Sequence, residues 1–139
     1  MKKIALIFSF IIIASQVNFA FDYTNLEALG DNLVKFDKTT HDFGKVLKGA
    51  KDVTATFKYT NNSQEMVFIT RVVKSCGCTE PEYSKEPLMP GQTSEFKVGY
   101  TTTDNMGLFN KKLTVFTNIS TDATILTIKG EIVESLPTE

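Results

Sequence analysis

Lys51-Asp52-Val53-Thr54-Ala55-Thr56-Phe57-Lys58-Tyr59-Thr60 is the stretch that decides the fold. Val53, Ala55, Phe57 and Tyr59 alternate with Thr54, Thr56, Lys58 and Thr60. An extended chain points successive side chains to opposite faces, so one face is apolar and the other polar. Asn61-Asn62-Ser63 then marks a turn. The same grammar continues on both sides. Phe43 to Leu47 reads as a strand before it, and Met66 to Val73 as an apolar, β-branched segment after it. Pro90-Gly91 suits the two central positions of a type II turn, because Pro presets φ and Gly accepts a positive φ. Phe96, Val98 and Tyr100 alternate next, and Asp104-Asn105-Met106-Gly107 breaks the pattern. Leu113 and Val115 resume it. Leu126, Ile128 and Ile132 share a face in the last strand, with Lys129 and Glu131 pointing away.

This pattern predicts about seven strands with turn signals roughly every ten residues, the spacing of a sandwich or barrel. No long helical pattern alternates with the strands, which argues against a βαβ fold. The chain's 139 residues allow one domain. With 11 Phe and 4 Tyr it has the large apolar side chains that a compact core needs. A hydrophobic content of 42% against 22% charged residues is that of a folded globular protein. The formal net charge of −1 supplies no positive field to hold a phosphate backbone, so nucleic acid is not expected as a partner.

The N-terminus reads as an address. Met1-Lys2-Lys3 is a short basic segment, Ile4 to Ile13 is apolar apart from Ser9, and small Ala20 offers a cleavage position. The apolar run is shorter than the ~20 residues of a comfortable membrane span. Residues 1–20 are therefore read as a signal peptide, with an uncleaved anchor as the competing reading. The membrane is then met only transiently, and the protein is expected in the periplasm, at the cell surface or outside the cell. Residues 21–35 form a lead-in, where Leu26, Leu29 and Leu33 recur at helical spacing behind a Thr24/Glu27 capping box. Gly30 and Asp31-Asn32 weaken that helix. The sandwich is assigned to 36–133 and a flexible tail to 134–139.

The ordered features resemble a known family. His41-Asp42-Phe43-Gly44-Lys45-Val46 is followed by Ser75-Cys76-Gly77-Cys78-Thr79, Pro90-Gly91, Gly107-Leu108-Phe109 and Leu126-Thr127-Ile128-Lys129-Gly130. This order resembles the bacterial domain of unknown function numbered 1573, common in exported proteins of the Bacteroidetes and similar to the immunoglobulin-like domains of the Hydin and major-sperm-protein type. The resemblance implies an immunoglobulin-like antiparallel sandwich outside the cytoplasm. It implies structural roles for His41, Phe43, Gly44, Val46, Gly77, Thr79, Pro90, Gly91, Gly107 and Gly130. It brings no activity, no catalytic residue and no cofactor.

Cys76 and Cys78, the two cysteines of the chain, carry the distinctive chemistry. In an exported protein such a pair suggests a disulfide. An extended chain holds residues i and i+2 about 6 to 7 Å apart, the upper limit of bridging reach, so a bridge needs a bend that Gly77 can supply. Three readings stand side by side: a local bridge or quiet thiols, a redox-active dithiol, and a copper or zinc site. Tetrahedral zinc would need two more ligands, and His41, Glu80, Glu82 or the thioethers of Met66, Met89 and Met106 are not placed beside the cysteines by spacing. His41, the lone histidine, is read as a hydrogen-bonding residue at a strand start. Asn61-Asn62-Ser63 and Asn118-Ile119-Ser120 match the glycosylation sequon but are read as turns. Lys111-Lys112 and Lys48/Lys51 are short solvated clusters. There is no nucleophile elbow, phosphate loop, multi-histidine motif or carboxylate pair. The expectation is a non-catalytic module that binds another protein, with a redox or metal-handling protein acting through Cys76 and Cys78 as the alternative.

Overall fold

The computed structural model describes residues 33–50, 53–102 and 106–135. The leader, most of the lead-in with its Leu26/Leu29 pattern, Asp104-Asn105 and the end of the tail lie outside the described residues. Eight strands are present and, among the described residues, no helix: β1 (Val34–Phe36), β2 (Thr40–Leu47), β3 (Val53–Asn61), β4 (Ile69–Lys74), β5 (Thr79–Tyr83), β6 (Thr93–Tyr100), β7 (Gly107–Thr117) and β8 (Thr124–Val133). They form two four-stranded sheets, in the orders β1-β3-β6-β5 and β2-β8-β7-β4. The all-β sandwich expected from the alternation is therefore what the chain builds.

Two details differ from the sequence expectation. There are eight strands rather than about seven, because β1 has three residues and β5 reads Thr-Glu-Pro-Glu-Tyr. Neither segment shows a period-2 apolar pattern. β1 takes in Val34 and Lys35, which the sequence assigns to the lead-in. The second difference is direction: β2 pairs with β8 in parallel, while every other strand pair is antiparallel. Parallel neighbours need a long connection. Here most of the domain lies between the two, so no hairpin dictates their relative direction.

The core fills the space between the inner faces. From β3 come Ala55, Phe57 and Tyr59, from β6 Phe96, Val98 and Tyr100, from β7 Phe109, Leu113 and Val115, and from β8 Leu126, Ile128 and Ile132. These are the apolar positions of the alternating pattern. Each fully buried Phe, Leu or Ile contributes about 1.5–3 kcal/mol relative to exposure. Tyr100 and Phe109, from opposite sheets, stack with centroids 4.4 Å apart and join the two layers near one end of the sandwich. The Pro90-Gly91 turn lies toward the other end, where the Gln92 N–H donates to the Met89 carbonyl at 3.0 Å and Gly91 takes φ 77°. That is the type II geometry the dipeptide predicts.

Candidate functional site

The motif residues gather around a fault in strand β2. Asp42 pairs with Lys129, but Lys45 pairs with Glu131, so β2 carries one extra residue against β8. This is a β-bulge, and Gly44 supports it with φ 63°, a left-handed conformation that costs a residue with a Cβ. The Asp42 carboxylate closes the bulge: one oxygen accepts the Gly44 N–H at 2.8 Å, and the other faces Lys129 Nζ at 3.3 Å. The backbone donor and the Lys129 ammonium hold the Asp42 carboxyl below the usual carboxylate range. Gly130 lies on the inner side of the same fault. A Cβ there would stand 2.8 Å from Phe109 Cζ and 2.9 Å from the Gly44 carbonyl oxygen. Phe109 also meets Phe43, at 6.3 Å between centroids. Val46, just past the bulge, is buried in the core. On the outer surface a cleft of about 490 Å³ opens beside the bulge, between Asp42, Lys45, Lys129, Asn110 and Leu108. Leu108 is 89% exposed, so its side chain stands out from the cleft wall with little cover.

His41 packs edge-on to Phe43 at 4.6 Å, and its Nδ1 lies 3.3 Å from Lys38 Nζ. Partial burial, reinforced by the Lys38 charge and opposed by Asp42, lowers its pKa below the ordinary imidazole value. The ring is thus biased toward its neutral form.

The second motif is the turn that carries the chain from β4 in one sheet to β5 in the other. Cys76 and Cys78 are joined by a disulfide within it, with Cα atoms 5.3 Å apart. The chain has therefore bent below the extended i to i+2 spacing. Gly77 takes no left-handed φ, and nothing lies within 4 Å of where its Cβ would stand, so the bend comes from the turn as a whole. Hydrogen bonds hold the turn on both sides. Ser75 donates its N–H to the Lys112 carbonyl and accepts the Lys112 N–H on Oγ, both at 2.9 Å. Buried Thr79 donates its hydroxyl to the Cys76 carbonyl at 3.3 Å, and the Thr101 N–H donates to the Cys78 carbonyl at 3.1 Å.

The spacing in the sequence does not bring His41 and Cys76 together. Sheet order separates them: His41 is on edge strand β2, Cys76 follows edge strand β4, and β8 and β7 lie between. Three strand spacings amount to about 14 Å. Among the described residues no three His, Cys, Asp or Glu side chains cluster to hold a metal ion, so the further ligands that zinc would need are not assembled around the cysteines. The two motifs are instead linked through packing. Thr79 pairs in register with Tyr100, Tyr100 stacks on Phe109, and Phe109 covers Gly130. Asp42 and Phe109 are the contributors that sequence reasoning passes over. Asp42 had a readable signal, since an Asp two residues before a Gly is the spacing of an Asx-turn.

A two-sheet, all-β sandwich whose first long strand is bulged and lies parallel to its last defines the structural class. The chain belongs to the family described as "Protein of unknown function (DUF1573)", which matches residues 34–132. No curated protein matches the chain. Among solved structures it is similar to a protein of unknown function from Porphyromonas gingivalis W83, with a TM-score of 0.60 and 11% identity over 71% of this chain and 46% of that one. It is also similar to the secreted serine protease VesC from Vibrio cholerae, with a TM-score of 0.60 and 14% identity over 80% of this chain and 25% of that one. The VesB protease of Vibrio cholerae gives 0.57 and 14%, over 80% and 34%. These likenesses are of fold. The chain spans less than half the length of each of these proteins.

Proposed function

We propose that the protein is an exported, non-catalytic sandwich module that binds another protein by accepting a strand at the open edge of β4. The carrying observation is the condition of the four sheet edges. β1 is three residues long, β5 contains Pro81, and β2 is broken by its bulge, all devices that discourage pairing with a further strand. β4 carries no proline, and although its register with β7 shifts between Ile69 and Arg71, the four residues from Arg71 to Lys74 pair without a break. Ser75 and Lys112 exchange hydrogen bonds, so the alternation of an antiparallel ladder turns the backbone groups of Val72 and Lys74 toward the open side. On the outer face of this edge strand Val73 is exposed and Arg71 lies over the Phe116 ring at 4.1 Å, with exposed Ile125 two strands further in. An incoming strand would gain backbone bonds from the edge and side-chain contacts from this row. Export is supported by the basic, apolar leader.

The test uses Lys74→Pro, which removes an outward N–H at an exposed residue without touching the ladder to β7 or the core, against which Val72 packs. Purified protein is incubated with the envelope protein fraction of its own cell, and amide exchange is followed. Protection should appear at Val72 and Lys74, and the proline variant should lose the bound protein while keeping its melting temperature within a few degrees. Unchanged retention by the variant would remove β4 from the interface. An N-terminus beginning near Phe21 in protein recovered from the envelope checks export.

A further inference from the structure

We infer that Cys76 and Cys78 form a thiol–disulfide exchange site that oxidises dithiols of protein or peptide clients. This inference is independent of the β4 edge. It begins with what the bridge does not do. The disulfide closes a loop of only three residues, and a bridge constrains the unfolded chain less as its loop shortens. The turn is held without sulfur, by Ser75 against Lys112, by Thr79 to the Cys76 carbonyl and by Thr101 to the Cys78 carbonyl. Linkage is reciprocal. A fold that gains little from the bridge gives little back to it, so this disulfide is about as reducible as the same cysteines in an open chain. Structural disulfides of exported proteins are far more resistant, because the fold holds them closed.

Access points the same way. Gly77 is exposed, with open space where a Cβ would stand, so a client backbone can approach over the bridge. The two sulfurs are not equivalent. Both cysteines are partly buried, but Cys78 packs against the hydrophobic core, so Cys76 is assigned as the sulfur that is attacked. A client thiolate attacks Cys76 Sγ and forms a mixed disulfide. The Cys76–Cys78 bond breaks, and Cys78 leaves as a thiolate that takes up a proton. The client's second thiolate then attacks its own bridged sulfur and releases Cys76 as a thiolate, which is protonated in turn. The client has lost two electrons and two protons, and the site has become a dithiol.

The experiment uses protein purified without reductant. In a millimolar glutathione buffer, alkylation and intact mass should show the bridge opening while the fold persists, with oxidised and reduced forms melting within ~2 °C of each other. With oxidised glutathione, Cys78→Ser should acquire an adduct at Cys76 at least ~10-fold faster than Cys76→Ser does at Cys78. A peptide dithiol should lose two hydrogens as the protein gains two thiols. A bridge that opens only when the protein unfolds, a large fall in melting temperature on reduction, or equal adduct rates would each overturn the inference. So would a stoichiometric metal on the reduced form. The Cys76→Ser/Cys78→Ser double variant should melt like the parent, which separates lost chemistry from lost folding.

Discussion

At the scale of single residues, the glycines of the motifs do different work. Gly130 and Gly77 look equivalent as letters in the motifs, yet one has no room for a methyl group and the other has nothing but room. Gly130→Ala should cost about 1–3 kcal/mol, because the Phe109 ring and the Gly44 backbone must both give way. Gly77→Ala should stay within about 0.5 kcal/mol, as a surface substitution with no strained backbone to oppose it. Urea denaturation of the two variants beside the parent checks the contrast. Similar losses at both positions would mean that the turn around Gly77 is held far more tightly than its hydrogen bonds imply. Composition could not make this distinction, since it depends on which strand lies opposite, and that is a long-range fact.

At the scale of elements, the alternating strands were legible and the irregular ones were not. β3, β6 and β8 announce themselves because burial on one face imposes a period of two. β1 and β5 are edge strands whose places are set by backbone pairing to β3 and β6, and pairing leaves no apolar signature. Asn61 shows the other limit of sequence reading. The Asn61-Asn62-Ser63 turn was expected, but Asn61 itself is fully buried, which also leaves no room for a glycan on it. Its Nδ2 donates to the Glu65 and Leu88 carbonyls at 2.7 and 2.8 Å, and its Oδ1 accepts from the Ser63 N–H and hydroxyl at 2.9 and 2.7 Å. One side chain thus joins the β3–β4 and β5–β6 connections. Asn61→Ala should destabilise the protein by about 2–4 kcal/mol, because it strands buried carbonyls and leaves a void. Asn61→Asp should be at least as damaging, since a carboxylate would face two carbonyl oxygens with no proton to offer. Thermal melts of both variants, with the exposed neighbour Asn62→Ala as control, measure the effect.

At the scale of the whole molecule, the fold class was open to sequence reasoning because an entire face of each long strand must agree on where the core is. The Cys76/Cys78 pair likewise stands in the sequence itself, but the open β4 edge and the β2 bulge do not, because edges and bulges are properties of the assembled sheets. The same is true of the parallel pairing of β2 with β8. β8 lies between β2 and β7 in its sheet, although it is the final strand of the domain in sequence. It contributes Leu126, Ile128 and Ile132 to the core. A chain ending at Thr117 should therefore remain unfolded, with no cooperative melt and collapsed proton chemical-shift dispersion, whereas a chain ending at Ser135 should fold. Contacts between such distant segments form slowly, in the range of milliseconds to seconds typical of β-sandwiches. A ribosome delivers this domain from one end, and its keystone comes out last. Until then β2 has no neighbour to lie against, and the domain stays an open thread for the whole of its synthesis.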